Sequence, residues 1–280
     1  MSAALQLLSP AKLNLFLHIT GRRADGYHEL QTVFQLLDWG DRLQFTPDSS
    51  GETRLEGGEL GIPAEENLIL RAASLLQSGR RGVRIRLDKR IPAGGGLGGG
   101  SSNAATTLLA LNHLWQVNLP AAELAVIGAG LGADVPVFLG GHTAWAEGTG
   151  DRLEPLEMPE RWYLVVVPGC HVSTAEIFSH RQLTRNSAPI KMAAFLDGDS
   201  RNDCQPLVRR LYPEVDKALK LLDNFGDARL TGTGACVFVS FATEGEAAAA
   251  REQLPAGWTH FAARGVNTSP VLQALPRNDA

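Results

Sequence analysis

Hydrophobic and polar positions alternate near the start of the chain, where every second residue of 13–19 is a leucine or an isoleucine. A period of two predicts a β-strand with one face more buried than the other. Lys12 and Asn14 would then point to the same face of that strand. The same pattern, or a short apolar run, predicts further strands at residues 32–37, 43–45, 83–88, 162–167, 235–241 and 259–263.

Apolar residues recur at three- and four-residue spacing in other segments, which indicates helices with one buried face. These segments are residues 67–77, 104–115, 121–128, 207–224 and 244–254. The second of them directly follows a glycine-rich loop, and Ser101 or Ser102 is its natural N-cap. The first third of the chain is therefore β-rich and the remainder mixes helices with strands, which predicts an α+β fold.

The chain has 280 residues, of which 44% are hydrophobic, enough for two ordinary cores or one large core. We expect two lobes with a cleft between them. The net charge of −4 gives no overall field that would draw the chain to nucleic acid or to an anionic membrane. Asp134, Pro136 and several glycines interrupt the apolar stretch at 124–139, so we expect no membrane segment.

The three cysteines, Cys170, Cys204 and Cys236, lie far apart and lack the spacing of a zinc site. We therefore expect no disulfide framework, and the chain suits the reducing cytoplasm. Residues 1–17 include polar side chains where a signal peptide would be uniformly apolar, so we expect them to belong to the mature protein. Residues 276–280 are expected to fray.

The glycine-rich loop has glycines at 94–96 and 98–100 and leads into the helix predicted at 104–115. Glycines leave backbone amides open to close approach by an anion, and the dipole of the following helix also favours negative charge. The loop therefore predicts a site for nucleotide phosphates. Its expected ligands are Pro92, Ala93, Gly94, Gly95, Gly96, Leu97, Gly98, Gly99, Gly100, Ser101 and Ser102.

The two common nucleotide-binding loop motifs fit this glycine pattern less well. Residues 94–99 match the dinucleotide fingerprint, but Lys89, Arg90 and Pro92 separate them from the preceding strand, and no acidic residue follows about 20 positions later at a strand end. The lysine of a Walker loop is also missing. A flexible linker is the remaining alternative, although linkers rarely open directly into a well-patterned helix.

Lys12 and Asp134 are isolated charges in apolar surroundings, and a buried charge needs a partner or a substrate. Phosphoryl transfer requires an anion cradle, a cation that offsets developing charge, and a carboxylate that accepts or orients the acceptor hydroxyl. The loop, Lys12 and Asp134 supply all three. Two plainer interpretations stay open, because Asp134 could cap a helix and Lys12 could extend from a strand edge to solvent.

Three segments together resemble the motifs of the GHMP small-molecule kinase superfamily: residues 10–14, 92–105 and 232–235. The resemblance covers nearly the whole chain. It implies a two-lobed α+β architecture with an N-terminal lobe like that of ribosomal protein S5, a C-terminal α/β-sandwich lobe, and the active site between them. The implied domains are an ATP-binding domain at 1–155 and a C-terminal kinase domain at 156–280.

Residues 25–30, 98–105 and 132–136 resemble the branch of that superfamily whose acceptor alcohol carries a cytidine diphosphate. The resemblance implies that Asp134 is the base or hydroxyl-orienting group, that Lys12 holds Asp134 and the developing charge, and that Asn14 helps to place the acceptor. It further implies a cytidine-binding side formed by Tyr27, His28 and Phe178, and a contact near adenine from Asn67. An ordinary core position stays open for Phe178.

The resemblance also implies ATP as phosphate donor together with Mg²⁺. No carboxylate cluster marks a protein-held metal site, so the sequence names no metal ligand. The expected partner is a small-molecule substrate carrying a cytidine diphosphate, bound by a monomer or weak homodimer, with no nucleic acid or membrane partner.

Two rival hypotheses stay open. One is a related kinase for another alcohol, such as mevalonate, homoserine or a sugar; the aromatic residues above favour cytidine. The other is a non-catalytic protein that binds RNA through a basic patch, although a solvated strand face and loop rim account for that patch equally well. The patch comprises Arg80, Arg81, Arg84, Arg86, Lys89 and Arg90.

Overall fold

The fold was obtained as a computed structural model, which describes residues 4–58, 61–77, 81–198 and 201–275. Two segments discussed above, residues 1–3 and 276–280, and Arg80 of the basic patch lie outside the described residues. In chain order the first ten elements are β1 (Leu5–Arg22), β2 (His28–Asp48), β3 (Thr53–Gly57), α1 (Leu68–Leu76), β4 (Gly82–Asp88), α2 (Gly99–Leu114), α3 (Ala121–Leu131), α4 (Val135–Gly140), β5 (Ala144–Glu147) and β6 (Arg152–Pro155).

The second half of the chain begins with a strand, continues with four successive helices, and ends in a helix. Its elements are β7 (Trp162–Val167), α5 (Thr174–Ser179), α6 (Met192–Leu196), α7 (Gln205–Leu211), α8 (Pro213–Leu222), β8 (Arg229–Leu230), β9 (Val237–Phe241), α9 (Glu244–Glu252), β10 (Thr259–Val266) and α10 (Pro270–Ala274). The predicted α+β class is confirmed. None of the helices in the described part of the chain is long and apolar enough to cross a bilayer.

The strands join the two halves. Within the described residues they form a sheet of order β3-β4-β2-β10-β7-β9-β8, to which β1 and β5 add through β2. The link between the halves is the short antiparallel pairing of β10 with β2, at Gly265↔Leu37 and Val266↔Leu36. Buried apolar clusters lie under the helices of each half and a third lies between them, so β1 and β2 run through the middle of the molecule.

The long hairpin of β1 and β2 differs from its prediction in two ways. Residues 9–19 of β1 are buried on both faces, because helices of the first half pack on one side and the second half packs on the other. The strands predicted at 32–37 and 43–45 are one continuous strand, β2. Gly40 allows this continuity, since a Cβ there would lie 1.9 Å from the carbonyl oxygen of Ser9 on β1.

The predicted helices are present, with three corrections. The segment at 207–224 is two helices, because Tyr212 is extended ahead of Pro213, and a residue before proline avoids the helical region. The segment at 121–128 continues to Leu131. Helix α2 is not amphipathic: residues 102–108 are all buried, because α1, α3, α4 and the sheet surround it.

Candidate active site

Three backbone hydrogen bonds fix the glycine-rich loop between β4 and α2. Its partners are β1 and the turn between β8 and β9, which come from opposite halves of the chain. The bonds run from Lys12 N to Leu97 O (3.1 Å), from Ala235 N to Gly94 O (3.3 Å) and from Cys236 N to Gly95 O (3.2 Å). The loop is therefore a fixed element and not a linker.

Glycine is required in this loop where neighbouring groups leave no room for a side chain. Gly96 has a φ of +75°, and a Cβ there would lie 2.3 Å from the carbonyl oxygen of Thr231. Gly98 has a φ of +71°, and its Cβ would lie 2.9 Å from the ring of Phe138. Both positions combine left-handed backbone with close packing, which only glycine tolerates without strain.

Helix α2 begins earlier than predicted. Its N-cap is Gly98, which offers no side-chain cap, so the expectation that Ser101 or Ser102 caps the helix is wrong. The first N–H groups of a helix have no intrahelical partner and attract an anion. Ser102 is turned away from this end, since its hydroxyl lies 2.8 Å from the hydroxyl of Ser9 and its N–H donates to Gly98 O.

Lys12 lies at the centre of the site and only 3% of its surface is exposed. Its ammonium donates to Asn14 Oδ1 at 2.6 Å and to Gly96 O at 3.0 Å, and it lies 3.4 Å from Asp134 Oδ2. The ring of Phe34 lies on a further side, 5.4 Å away. The alternative of a lysine extending from a strand edge into solvent is therefore excluded. The predicted shared face of Lys12 and Asn14 is confirmed.

Asn14 is oriented by two threonines that the sequence did not single out. Its Nδ2 donates to Thr32 Oγ1 at 2.9 Å, and the Thr32 hydroxyl donates in turn to Phe16 O. The backbone N–H of Asn14 donates to Thr231 Oγ1 at 3.0 Å, while that hydroxyl donates to Gly96 O at 3.2 Å. The bond from Nδ2 to Thr32 orients the Asn14 amide so that Oδ1 accepts from Lys12, and the bond to Thr231 fixes the Asn14 backbone.

Asp134 occupies the N-cap position of α4, but its carboxylate makes no cap hydrogen bond. The side chain is one-third exposed and faces Lys12 instead. The capping interpretation is therefore right about the position of Asp134 at the start of α4. It is wrong about the carboxylate, which contacts Lys12 and does not cap the helix. The carboxylate remains accessible to a bound hydroxyl group while it faces the ammonium.

Two cavities meet beside this charge pair. The larger has a volume of about 680 Å³ and the smaller about 500 Å³, and both include Gly96 and Ser101 in their linings. A group bound at that junction is accessible from both sides. The larger cavity brings together the predicted residues Lys12, Asn14, Tyr27, His28, Asp134 and Phe178.

The smaller cavity brings together the predicted nucleotide residues. It is lined by every residue from Pro92 to Ser101 and by Asn67, whereas Ser102 lines neither cavity. Asn67 also caps α1, because its Oδ1 accepts from Ile69 N at 3.0 Å. Since both polar groups of Ser102 are engaged elsewhere, we remove Ser102 from the expected phosphate contacts.

A buried carboxylate supports the entry to the glycine-rich loop. Asp41 is fully buried and accepts from Lys89 Nζ, Arg90 N and Ile91 N, each at 2.7 Å. Lys89, which also lines the smaller cavity, is thereby held in place. Nothing in the sequence indicates this role, because Lys89 and Arg90 look like members of a basic surface patch. Arg90 itself pairs with Asp88 at 3.1 Å.

The far end of the larger cavity is aromatic. The rings of His28 and Phe178 stack with centroids 5.0 Å apart and an interplanar angle of 29°. Tyr27 stands beside them with 67% of its surface exposed. Phe178 is half-buried; it lines the cavity and also packs against the buried apolar cluster of the second half. Burial first, and then the charges of Arg185 and Arg22, lower the pKa of His28 below its usual value.

Within the described residues, no group of three or more histidine, cysteine, aspartate or glutamate side chains could together hold a metal ion. The oxygen donors beside the cavity junction include the hydroxyl of Ser101 and the carboxylate of Asp134. Both are ligand types that Mg²⁺ accepts, and this ion usually keeps water and phosphate ligands as well. The site therefore suits a metal ion that arrives with a nucleotide.

Two family models match this chain. The family model for the GHMP kinases N terminal domain matches residues 67–142, and the model for the GHMP kinases C terminal domain matches residues 183–260. The chain is 58% identical over 278 residues to 4-diphosphocytidyl-2-C-methyl-D-erythritol kinase of Pseudomonas paraeruginosa, covering 98% of this chain and 99% of that protein.

Two further relatives give the same result. The chain is 57% identical to the protein of the same name from Alkalilimnicola ehrlichii, over 95% of this chain and 93% of the relative. A crystal structure of 4-(cytidine 5'-diphospho)-2C-methyl-D-erythritol kinase superposes with a TM-score of 0.82 at 36% identity, covering 94% of this chain and 100% of the other.

Proposed function

The chain belongs to the GHMP kinase family, and from this we infer that it phosphorylates 4-diphosphocytidyl-2-C-methyl-D-erythritol. The γ-phosphate of ATP is transferred to the 2-hydroxyl, which gives the 2-phosphate and ADP in the non-mevalonate pathway to isoprenoid precursors. The observation that carries the assignment is the pair of cavities that meet at Gly96 and Ser101, beside Lys12 and Asp134. One is lined by the glycine-rich loop and the other by the His28–Phe178 stack.

We propose that the triphosphate of ATP binds in the smaller cavity. The open start of α2 and the glycine-rich loop offer N–H groups to the phosphate oxygens, and the helix dipole adds to the attraction. Asn67 also lines this cavity and is the proposed contact near adenine. The γ-phosphate then reaches Gly96 and Ser101, where the two cavities join.

The acceptor enters through the larger cavity with its cytosine at Tyr27, His28 and Phe178. Aromatic and imidazole faces stack on a base through their π-systems. The 2-hydroxyl is then placed at Asp134, and Asn14 lines the cavity beside Lys12. Binding both substrates in fixed geometry across the junction lowers the entropic cost of bringing the hydroxyl to the phosphate.

Transfer forms a bond between the acceptor oxygen and the γ-phosphorus and breaks the bond from that phosphorus to the oxygen of ADP. The hydroxyl proton passes to the carboxylate of Asp134, which is accessible from the cavity. Lys12 offsets charge on the transferring group and keeps Asp134 directed at the junction, at 3.4 Å. Mg²⁺, bound with the nucleotide beside Ser101, would neutralise phosphate charge.

A coupled assay tests the assignment. Purified protein with Mg-ATP is offered 4-diphosphocytidyl-2-C-methyl-D-erythritol and, separately, mevalonate, homoserine and galactose, and ADP release is followed. We expect release with the cytidine compound alone. Release with another alcohol alone would keep the kinase chemistry and overturn the substrate. A cytoplasmic location and a monomeric or weakly dimeric state remain predictions.

A further inference from the structure

Arg185 lies in the segment between α5 and α6, and its guanidinium makes contacts on two sides of the aromatic end of the larger cavity. The sequence did not single it out, and it does not itself line the cavity. It is half-buried, and four hydrogen bonds hold it. These hydrogen bonds fix the Arg185 side chain, and Arg185 in turn fixes the groups that accept them.

Three of these bonds fix the end of α5, the helix that carries Phe178. Nη2 donates to Phe178 O and to His180 O, each at 2.8 Å, and Nη1 donates to Leu183 O at 3.2 Å. The last carbonyl groups of a helix lack intrahelical partners, and a cation stabilises them. The forked guanidinium thus holds three backbone carbonyl groups between Phe178 and Leu183 in fixed positions.

The fourth bond reaches across the cavity end to the other ring of the stack. Arg185 Nε donates to His28 Nε2 at 3.0 Å, over 157 residues of sequence. A guanidinium is always charged and only donates, so His28 Nε2 must accept. The imidazole is therefore neutral and carries its proton on Nδ1. A second cation, Arg22 at the end of β1, also disfavours the imidazolium form.

We propose that Arg185 is a positioning residue for the cytidine base, which holds His28 and Phe178 as a neutral stacked pair in the orientation that binds the ring. This inference rests on the proposed function, because it takes the base to bind at that pair. One guanidinium fixes both partners, the ring of His28 directly and the ring of Phe178 through the backbone of α5. A lysine could supply the charge but not the fork that makes all four bonds.

Steady-state kinetics of Arg185→Met in the full chain test the role. We expect the KM for the cytidine acceptor to rise on the order of tenfold to a hundredfold, the usual effect of losing hydrogen bonds to a charged group. The KM for ATP should stay within about twofold, since the smaller cavity does not include this region. Arg185→Lys should recover little of the loss.

Arg210→Met is the matched control, because Arg210 is an exposed arginine of the same half whose hydrogen bond goes to the side chain of Gln182. It should leave both KM values unchanged. Equal changes in both KM values for Arg185→Met, or no change in either, would overturn the inference. If the methionine variant does not fold, Arg185→Lys is judged by the same split between the two KM values.

Two measurements separate this inference from the proposed function. Calorimetric titration with CDP reports base binding without turnover, and ¹⁵N NMR of His28, assigned with a His28→Gln variant, reports which ring nitrogen carries the proton. We expect Nδ1–H in the wild type and weaker CDP binding in Arg185→Met. An Nε2–H form of His28 in the wild type would refute the inference even if turnover is normal. If the wild type is inactive on the acceptor but its CDP binding depends on Arg185, only the substrate assignment is refuted.

Discussion

Lys12 Nζ and Asp134 Oδ2 lie 3.4 Å apart, one on the buried strand β1 and the other at the start of the short helix α4. Lys12 also donates to Gly96 O in the glycine-rich loop at 3.0 Å. One ammonium therefore joins the proposed proton acceptor to the proposed phosphate cradle. Because Lys12 is buried and Asp134 is one-third exposed, the carboxylate is the member of the pair that a substrate can reach.

Replacement of Asp134 by Asn should remove the proton acceptor while leaving the nucleotide site intact. We expect kcat to fall by about a hundredfold to ten-thousandfold, the range for a general base, with the KM for ATP nearly unchanged. Asp227→Asn, which changes an exposed carboxylate paired with the partly buried Arg229, is the control and should turn over normally. Near-wild-type kcat in Asp134→Asn would remove this residue from the chemistry.

Thr32→Val should loosen Asn14 and, through it, Lys12. The variant leaves Asn14 Nδ2 buried without its acceptor, which costs about 1–3 kcal/mol of stability. Since the amide is then free to rotate and present a donor to Lys12, we expect kcat to fall about tenfold while the KM for ATP changes little. Thr32→Ser, which restores the hydroxyl, should restore kcat.

Thr143→Val is the control for that experiment. Thr143 is another fully buried threonine, and its hydroxyl donates to Val266 O at 2.8 Å, away from both cavities. It should lose comparable stability in a denaturant titration while kcat stays normal. If kcat falls in both variants in proportion to their loss of stability, Thr32 acts on folding alone.

Gly96→Ala should disable the nucleotide side. The new methyl group would lie 2.3 Å from Thr231 O at a φ of +75°, so the loop must shift. We expect a stability loss on the order of 1–3 kcal/mol from the backbone strain, with an increase in the Kd for ATP measured by calorimetry. Gly130→Ala in α3, where a Cβ meets nothing within 4 Å, should be neutral or stabilising. ATP binding that is unchanged in Gly96→Ala would argue against the cradle.

The pH dependence of acceptor binding should follow His28. Only the neutral ring can accept from Arg185, and burial together with Arg185 and Arg22 lowers its pKa from 6.5. The competent form is therefore populated at neutral pH and is lost as pH falls through the lowered pKa, so the acceptor KM should rise on the acid side of pH 6.5. His28→Ala should raise this KM far more than that for ATP, and its acceptor KM should lack the acid rise. An acid rise that persists in His28→Ala would assign it to another group.

The sequence predicted the parts of the site that carry a local signal. The glycines at 94–96 and 98–100 indicated the loop, and Lys12 and Asp134 stood out as charges in apolar segments. The aromatic neighbours Tyr27 and His28 were visible in a glycine-containing turn. The loop and the charge pair needed only residue type and spacing, because backbone freedom and the cost of burying charge are properties of the residues themselves. The cytidine role of Tyr27 and His28 came from the family resemblance.

The supporting residues could not be predicted in this way. Thr231 meets Asn14 across 217 residues of sequence and Arg185 meets His28 across 157. A threonine in a glycine-rich turn looks like an ordinary turn residue, and an arginine in a polar loop looks like a solvated one. Their roles arise only when the two halves of the chain pack together.

The start of α2 shows a different limit. Serine is a frequent N-cap, so the sequence favoured Ser101 or Ser102, but Gly98 caps the helix in a left-handed conformation. A side-chain cap would have used the amide groups that an anion needs. The packing of the loop against β1 and the turn at 231–236 determines where the helix begins, and the preference of serine for the N-cap position does not.

The position of the new phosphate distinguishes transfer to the 2-hydroxyl from transfer to another group of the acceptor. Wild-type protein, Mg-ATP and 4-diphosphocytidyl-2-C-methyl-D-erythritol are incubated to completion, and the product is examined by ³¹P NMR. We expect one new phosphomonoester without three-bond coupling to a proton, because the carbon at position 2 bears the methyl group and no hydrogen. A phosphomonoester coupled to protons would place the phosphate on another hydroxyl, and the absence of any new signal would contradict the proposed reaction itself.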